Sequence, residues 1–422
     1  MIEAPLSYQQ QELLDNTSRY PQCMARYDWM SVYELAAETD LETLTSAVEG
    51  LADRHEALRT TVEYRDGQGR QLIHPGLAAP VERREVPEAE LPDVLATTAA
   101  GRMTVEQVGR SDALFRPIVI TSGNRILLAL NIHHLVHDGA SEAVMWRDLS
   151  EFYSARQERR PAELPELPLS YAEFTAWQRN EWERIGGRAV YHWRAALDGL
   201  PATLSWPTSP EGSPEEPPES LRNAAKGFSV GPEAAEALRM AARRGRVSPF
   251  MVIAAVSAAA VGRVTGNEDL LLGVPSANRE EPFKHEMVGH FANTRLVQAR
   301  GPEDPGLSGL TRSIRASWFD CEDFRDVYSR PLLTALGAPE VVYVAMNAVP
   351  GAVTAPTFAG KEATRVPVRT PGVSDDWRSV GVMWEWGDDG LLHGQVRHRL
   401  SIVSSAAADD IAAAATELMS EL

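Results

Sequence analysis

Two cysteines in 422 residues, Cys23 and Cys321, are too few for a disulfide framework or a thiolate metal site in a chain of this length. Lysine is almost as scarce. Of the 41 basic residues only Lys226, Lys284 and Lys361 are lysines, a bias that points to a GC-rich genome and so to a bacterial source. Positive charge is also outnumbered: 41 Lys and Arg face 59 Asp and Glu, and a formal charge of −18 repels phosphate backbones and anionic lipid headgroups. Nucleic acid and membrane surfaces are therefore poor partners. The longest nearly apolar run, Phe250 to Val261, falls short of the roughly 18–20 residues that cross a bilayer. The first residues lack a charged segment followed by an apolar one, so no secretory signal is visible and the cytoplasm is the expected compartment.

What is present describes a folded protein. With 44% hydrophobic and 24% charged residues the chain is neither disordered nor fibrous. A single core rarely grows past about 250–300 residues, so two lobes are expected. We place them at 1–175 and 176–422, with the Pro- and Glu-rich stretch 207–218 as a linker. Apolar spacing predicts helices over Leu41–Arg59, Ser141–Tyr153, Tyr171–Ile185, Pro232–Arg243, Ser248–Thr265 and Ala406–Leu422. Strands are predicted at Thr60–Tyr64, Arg70–His74, Arg125–His134, Leu270–Val274, Val341–Asn347 and Ser379–Trp386. Such alternation implies layered α/β lobes.

Three of the ten histidines fall within five residues, in Asn131-Ile-His-His-Leu-Val-His-Asp-Gly-Ala-Ser141. A metal site is one reading, but adjacent strand residues His133 and His134 point to opposite faces, and no HExxH spacing or second acidic cluster accompanies them. No metal is expected. A hydrolase triad is another reading; no G-x-S-x-G elbow occurs, and Ser141 is too near in sequence to be an obvious nucleophile. A third places one histidine at the end of a buried strand, aimed into a cleft, with a turn set by Gly139. The bland alternative is that both His133 and His134 are satisfied core residues.

The string His133-His134-Leu-Val-His-Asp138-Gly139 resembles the His-His-x-x-x-Asp-Gly signature of nonribosomal peptide synthetase condensation domains and their acyltransferase relatives. Further stretches resemble that family's motifs in the same order: Leu6–Leu13, Arg54–Thr60, Ser170–Trp177, Gly273–Arg279 and Val288–Arg300. Asp320–Phe324 and Met346-Asn347 are recognisable only by position. The resemblance implies an α/β fold of two chloramphenicol-acetyltransferase-like lobes, arranged as a V-shaped pseudo-dimer with a tunnel between them. It implies a reaction in which an amine, or alternatively an alcohol, attacks a thioester carried on the phosphopantetheine of an acyl or peptidyl carrier protein. The acceptor is a small molecule or a second carrier-bound group. No tightly bound cofactor is implied, and a free-standing enzyme, or one excised from a larger synthetase, is expected. An inactive relative that recruits a partner is the remaining alternative.

On this resemblance His134 is the catalytic base or positioner, and a backbone N–H near Gly139 is the candidate donor to the thioester oxygen. His133, Asp138, Arg279 and Arg59 belong to the structural motif, with Arg279 as the partner of Asp138. Arg54, Glu56 and Arg59 are expected in structural ion pairs. Ser141, Asn293 and Asn347 are expected along the substrate tunnel, and Ala140 stands where a bulkier aromatic is frequent. Arg19, Arg26, Arg179, Arg184 and Arg188 are candidates for docking an acidic carrier.

Overall fold

The computed structural model describes the chain except for 66, 101–102, 202, 208–222, 302–305, 338–340, 348–354, 369–379, 388–390 and a few further side chains, among them that of Asn347. Two compact units emerge. The first comprises Met1–Asn180, Ala277–Ala292 and Ala352–Val373, and the second Glu181–Ser276, Asn293–Gly351 and Ser374–Leu422. This corrects the simple division at 175. The chain passes from one unit to the other inside the unbroken helix Tyr171–Ala196, where the hydrogen-bond ladder offers no break. Two later segments then return to the first unit, because Arg279 pairs there with Asp138 and Thr364–Arg365 adds a strand to its sheet. The stretch 207–218 lies almost wholly outside the described residues.

The first unit is built on a five-stranded sheet. Its order is Thr364–Arg365, Asp28–Leu35, Arg125–His133, Phe115–Ser122 and Glu82–Glu85, with only the last pair parallel. Arg125–His133, the motif strand, is central because its branched apolar run is buried on both faces. Ile126, Leu128, Leu130 and Ile132 pack into a core with the helices Leu41–Arg54 and Gly139–Gln157, while Leu127 and Ala129 pack on the opposite side with Leu91 and Leu95. The strand ends at His133, one residue before the predicted end, and His134 opens a turn. A smaller antiparallel sheet joins Ile2–Pro5, Gln68–Ile73 and Thr60–Arg65.

The predicted helix at Leu41 stops at Arg54, followed by a 3₁₀ turn over Glu56–Arg59. Asp40 caps its start by accepting the Thr43 N–H at 2.7 Å.

The second unit has a six-stranded mixed sheet in the order Asn293–Ala299, Leu270–Ser276, Val341–Asn347, Val380–Trp386, Leu392–Arg399 and Asn223–Val230. The Ala-rich helix Pro249–Thr265 is buried nearly all round, so its apolar face is no stripe but the whole surface. Trp384 is packed inside this unit and donates to Ser257 Oγ at 3.0 Å. Among the described residues no single helix is long and apolar enough to cross a membrane.

Candidate active site

Asp138 is the N-cap of the helix Gly139–Gln157. Its carboxylate accepts the Ser141 N–H at 2.9 Å, and the Asp138 N–H in turn donates to Ser141 Oγ at 3.3 Å. The sequence Asp-Gly-Ala-Ser is thus a capping box that fixes where the motif helix begins. Arg279 then locks the box: its Nη2 donates to Asp138 Oδ1 at 2.9 Å and to Ser141 Oγ at 3.0 Å, while Nη1 donates to the carbonyls of Lys284 and Met287. The other carboxylate oxygen accepts the Phe291 N–H at 3.0 Å. Burial alone would raise the Asp138 pKa, but the nearby Arg279 charge, the Ser141 and Phe291 hydrogen bonds and His290 outweigh it and hold the carboxyl below its ordinary value.

This network ties the motif loop to the segment Gly289–Phe291. Ser141 Oγ lies 3.0 Å from the Gly289 carbonyl and accepts the Gly289 N–H at 3.2 Å. Tyr171 Oη donates to the His290 carbonyl at 2.9 Å. Gly289 is required by space, since a Cβ there would stand 2.4 Å from the Tyr171 ring. The His290 imidazole is consequently held beside His134, with ring centroids 4.7 Å apart. His137 lies 5.3 Å from His134 and the Tyr27 ring 6.1 Å.

His134 is half-buried, whereas His133 and His137 are buried. His133 fits a packing role: its Nε2 meets Met24 Sδ at 3.2 Å and its Nδ1 accepts the Leu135 N–H at 3.2 Å. Burial, followed by the neighbouring His134 imidazole, pushes His137 down to about 3 and holds His133 and His290 well below the ordinary histidine range. Those three imidazoles are neutral near neutral pH. Gly139 is exposed at the first position of the motif helix; a Cβ there would meet nothing within 4 Å. Its N–H belongs to the first turn, whose donors have no partner within the helix.

Two residues expected along a substrate path are placed differently. Ser141 is completely buried and its hydroxyl serves the capping network. Asn293 is in the second unit, where its amide donates to the Val327 carbonyl and accepts the Thr294 and Ser329 N–H groups. Both are bracing residues, because their polar side-chain atoms are engaged internally. Asn347 lies in a strand opposite Glu385, and its side chain is outside the described residues.

Of the helix-end charges, Arg54 pairs with buried Asp148 at 2.9 Å, and His55 meets the same carboxylate at 2.8 Å. Arg59 corrects the expected ion pair by donating to the His74 carbonyl, and Glu56 accepts the Ala172 N–H at 3.3 Å. The candidate docking arginines are largely engaged. Arg179 donates to the Leu6 carbonyl, Arg184 pairs with Glu181, and the Arg26 side chain is outside the described residues. Among the described residues no group of three or more His, Cys, Asp or Glu is arranged to hold a metal ion.

The family model for condensation domains matches residues 3–327, about three quarters of the chain and the whole of this network. The chain belongs to the condensation domain family. Relatives of this condensation domain include a linear gramicidin synthase protein of Brevibacillus parabrevis, 28% identical over 319 residues, covering 74% of this chain and 6% of that protein. Phosphinothricin tripeptide synthetase PhsC of Streptomyces viridochromogenes is 31% identical over 274 residues, 63% of this chain and 25% of that protein. The chain thus spans a small part of the curated relatives it matches.

Among solved structures, the X-domain in complex with OxyB from teicoplanin biosynthesis superposes with a TM-score of 0.80 at 19% identity, covering 100% of this chain and 93% of that one. The first condensation domain of the calcium-dependent antibiotic synthetase gives 0.72 at 16%, covering 100% and 97%. At such identities the likeness establishes the chloramphenicol-acetyltransferase-like condensation-domain fold.

Sequence reasoning passes over three residues of this condensation domain. His290 sits inside Val-Gly-His-Phe, where its only signal is a polar residue among apolar ones. Lys284 is completely buried, 4.9 Å from the Trp177 ring and 3.4 Å from Asn278 Oδ1, although lysine ordinarily marks the surface. Gln10, from the opening motif, donates to the Leu135 carbonyl at 2.9 Å and so braces the residue after His134.

Proposed function

We propose that this chain is an acyl-transferring condensation enzyme that joins a carrier-bound acyl or aminoacyl thioester to an amine, forming an amide in nonribosomal peptide or related natural-product biosynthesis. The observation that carries the reading is the half-buried His134, which directly follows the motif strand and precedes the Asp138–Arg279 network that caps the motif helix.

In this reading the acceptor nitrogen attacks the thioester carbonyl carbon. The C–N bond forms, the C–S bond breaks, and the proton leaving nitrogen passes to neutral His134 and on to the departing thiolate. A positioned base contributes about 10²–10⁴ in rate. Holding thioester and amine together supplies up to roughly 7–11 kcal/mol more. The open space above Gly139 and its helix-terminal N–H suit the oxygen that gains negative charge. His133, buried against Met24, serves packing. The thioester arrives on the phosphopantetheine arm of an acyl or peptidyl carrier protein, and the enzyme needs no tightly held cofactor.

Mixing the protein with a loaded carrier and, separately, amine and alcohol acceptors, then weighing the products, tests the reading. Amide product supports it. Ester product alone moves the chain to the alcohol-acylating branch of the same fold. Recruitment of a partner without chemistry is favoured by the likeness to the X-domain; against it stands the presence of His133, His134, Asp138 and Gly139 together.

A further inference from the structure

We propose that Ser229, His393 and Glu385 form a nucleophilic site on the sheet of the second unit that hydrolyses small acyl esters. The site lies outside the histidine signature and stands independently of the acyl-transfer reading.

Three neighbouring strands build it. Ser229, on the edge strand Asn223–Val230, is directly opposite His393 on Leu392–Arg399, and His393 is directly opposite Glu385 on Val380–Trp386. Residues paired in this way project from one face with Cβ atoms about 4.5–5.5 Å apart, so hydroxyl, imidazole and carboxylate stand in a row with the imidazole in the middle. The alternate residues Val230, Leu392 and Trp384 belong to the apolar core, which leaves the row on the opposite face. Ser229 and Glu385 are exposed and His393 is half-buried, so a dissolved molecule reaches all three. Ser229 Oγ lies 2.8 Å from His393 Nδ1, although the two residues are 164 positions apart and no local motif announces them.

The row lines a cavity of about 500 Å³ together with Gly227, Gln395 and Arg397. Gly227 is the next residue on this face of the edge strand, and a Cβ there would meet nothing within 4 Å, so space beside the hydroxyl is open. Gln395, opposite Gly227, accepts the Arg397 Nε–H at 2.6 Å through Oε1, which leaves its amide N–H groups as donors for an oxygen that gains negative charge.

A serine in hydrogen-bond reach of a base that a third group orients is an activated nucleophile. Ser229 Oγ attacks the ester carbonyl carbon while its proton passes to His393 Nδ1. The C–O bond to the alcohol breaks, and the departing alcohol takes that proton. Water then attacks the acyl-serine and gives a proton to His393; the Oγ–C bond breaks and the proton returns to Oγ. The products are a carboxylic acid and an alcohol, with water as the one co-reactant. Glu385 is a positioning residue whose charge favours the protonated imidazole between these steps.

The full chain is incubated with p-nitrophenyl acetate and p-nitrophenol release is followed. A fluorophosphonate, which forms a stable phosphonyl ester with loss of fluoride, locates the nucleophile by peptide mass spectrometry. The phosphonyl group is expected on Ser229. Release should fall about 10²-fold or more in Ser229→Ala and His393→Gln and persist in His134→Ala. Glu385→Gln should lower kcat and leave KM unchanged. Because Ser229 is exposed, Ser229→Ala should keep the native Tm and the native rate of transfer from a loaded carrier. Equal release by the native protein and Ser229→Ala, labelling that spares Ser229, or loss of release in His134→Ala overturns the proposal. Failure of the acyl-transfer reading shows separately, as absence of turnover with every loaded carrier while ester hydrolysis persists.

Discussion

Asp138 is a test of what the Asp-Gly half of the signature does. Its carboxylate meets Arg279 Nη2 at 2.9 Å, the Ser141 N–H at 2.9 Å and the Phe291 N–H at 3.0 Å, and both partners of the ion pair are nearly sealed, with side-chain exposures of 3% for Asp138 and 9% for Arg279. Removing one side of such a pair leaves an uncompensated charge and costs about 3–5 kcal/mol. In a unit of roughly two hundred residues each kcal/mol moves Tm by about 2–4 °C, so Asp138→Ala should lower Tm by about 6–20 °C.

Differential scanning calorimetry reads this directly, and the double variant Asp138→Ala/Arg279→Met should lose less than the sum of the single losses because the orphaned cation is gone. The pH dependence has a definite sign. The folded carboxyl lies below its unfolded value of about 3.9, so its stabilisation is full above that pH and is lost as pH falls toward the folded value; Asp138→Ala should flatten that acid limb. An Asp138→Ala protein with native Tm and no activity would refute the anchoring role.

Tyr171→Phe removes the bond to the His290 carbonyl and the contact with Ser7 Oγ, and should cost about 1 kcal/mol in calorimetry. Gly289→Ala places a methyl group 2.4 Å from the Tyr171 ring and should destabilise by about 1–3 kcal/mol, a loss that Tyr171→Ala in the same chain should reduce. His137 is depressed to about 3 from an unfolded value near 6.5, so it contributes stability above about pH 6.5 that is lost as pH falls toward 3; His137→Phe should weaken the pH dependence of chemical denaturation across that window.

Local pattern made much of the secondary structure legible. The Ala-rich run preceded by Ser248 is a helix from Pro249, and the apolar run before the histidines is a doubly buried strand. These features are encoded within a dozen residues. Long-range placement is not. Nothing between Ser276 and Asn293 has a periodicity that says it returns to the first unit, yet that excursion carries Arg279, Lys284 and His290. The resemblance names Arg279 as the partner of Asp138, and the two meet at 2.9 Å. Composition offered no such route to His290 or to Gln10, whose roles appear only when Gly289 packs on Tyr171 and when Gln10 reaches the Leu135 carbonyl. Ser141 misled for a related reason: a serine beside a signature reads as a contact with substrate, and only the capping geometry shows its hydroxyl already engaged.

The most direct measurement follows loss of the acyl group from a loaded carrier protein by intact-protein mass spectrometry, with and without an amine acceptor, for the native chain and for His134→Ala. The expected result is acceptor-dependent transfer by the native protein that falls about 10²–10⁴-fold in His134→Ala while the fold stays intact by circular dichroism. Transfer at an undiminished rate in His134→Ala would contradict the role assigned to that imidazole.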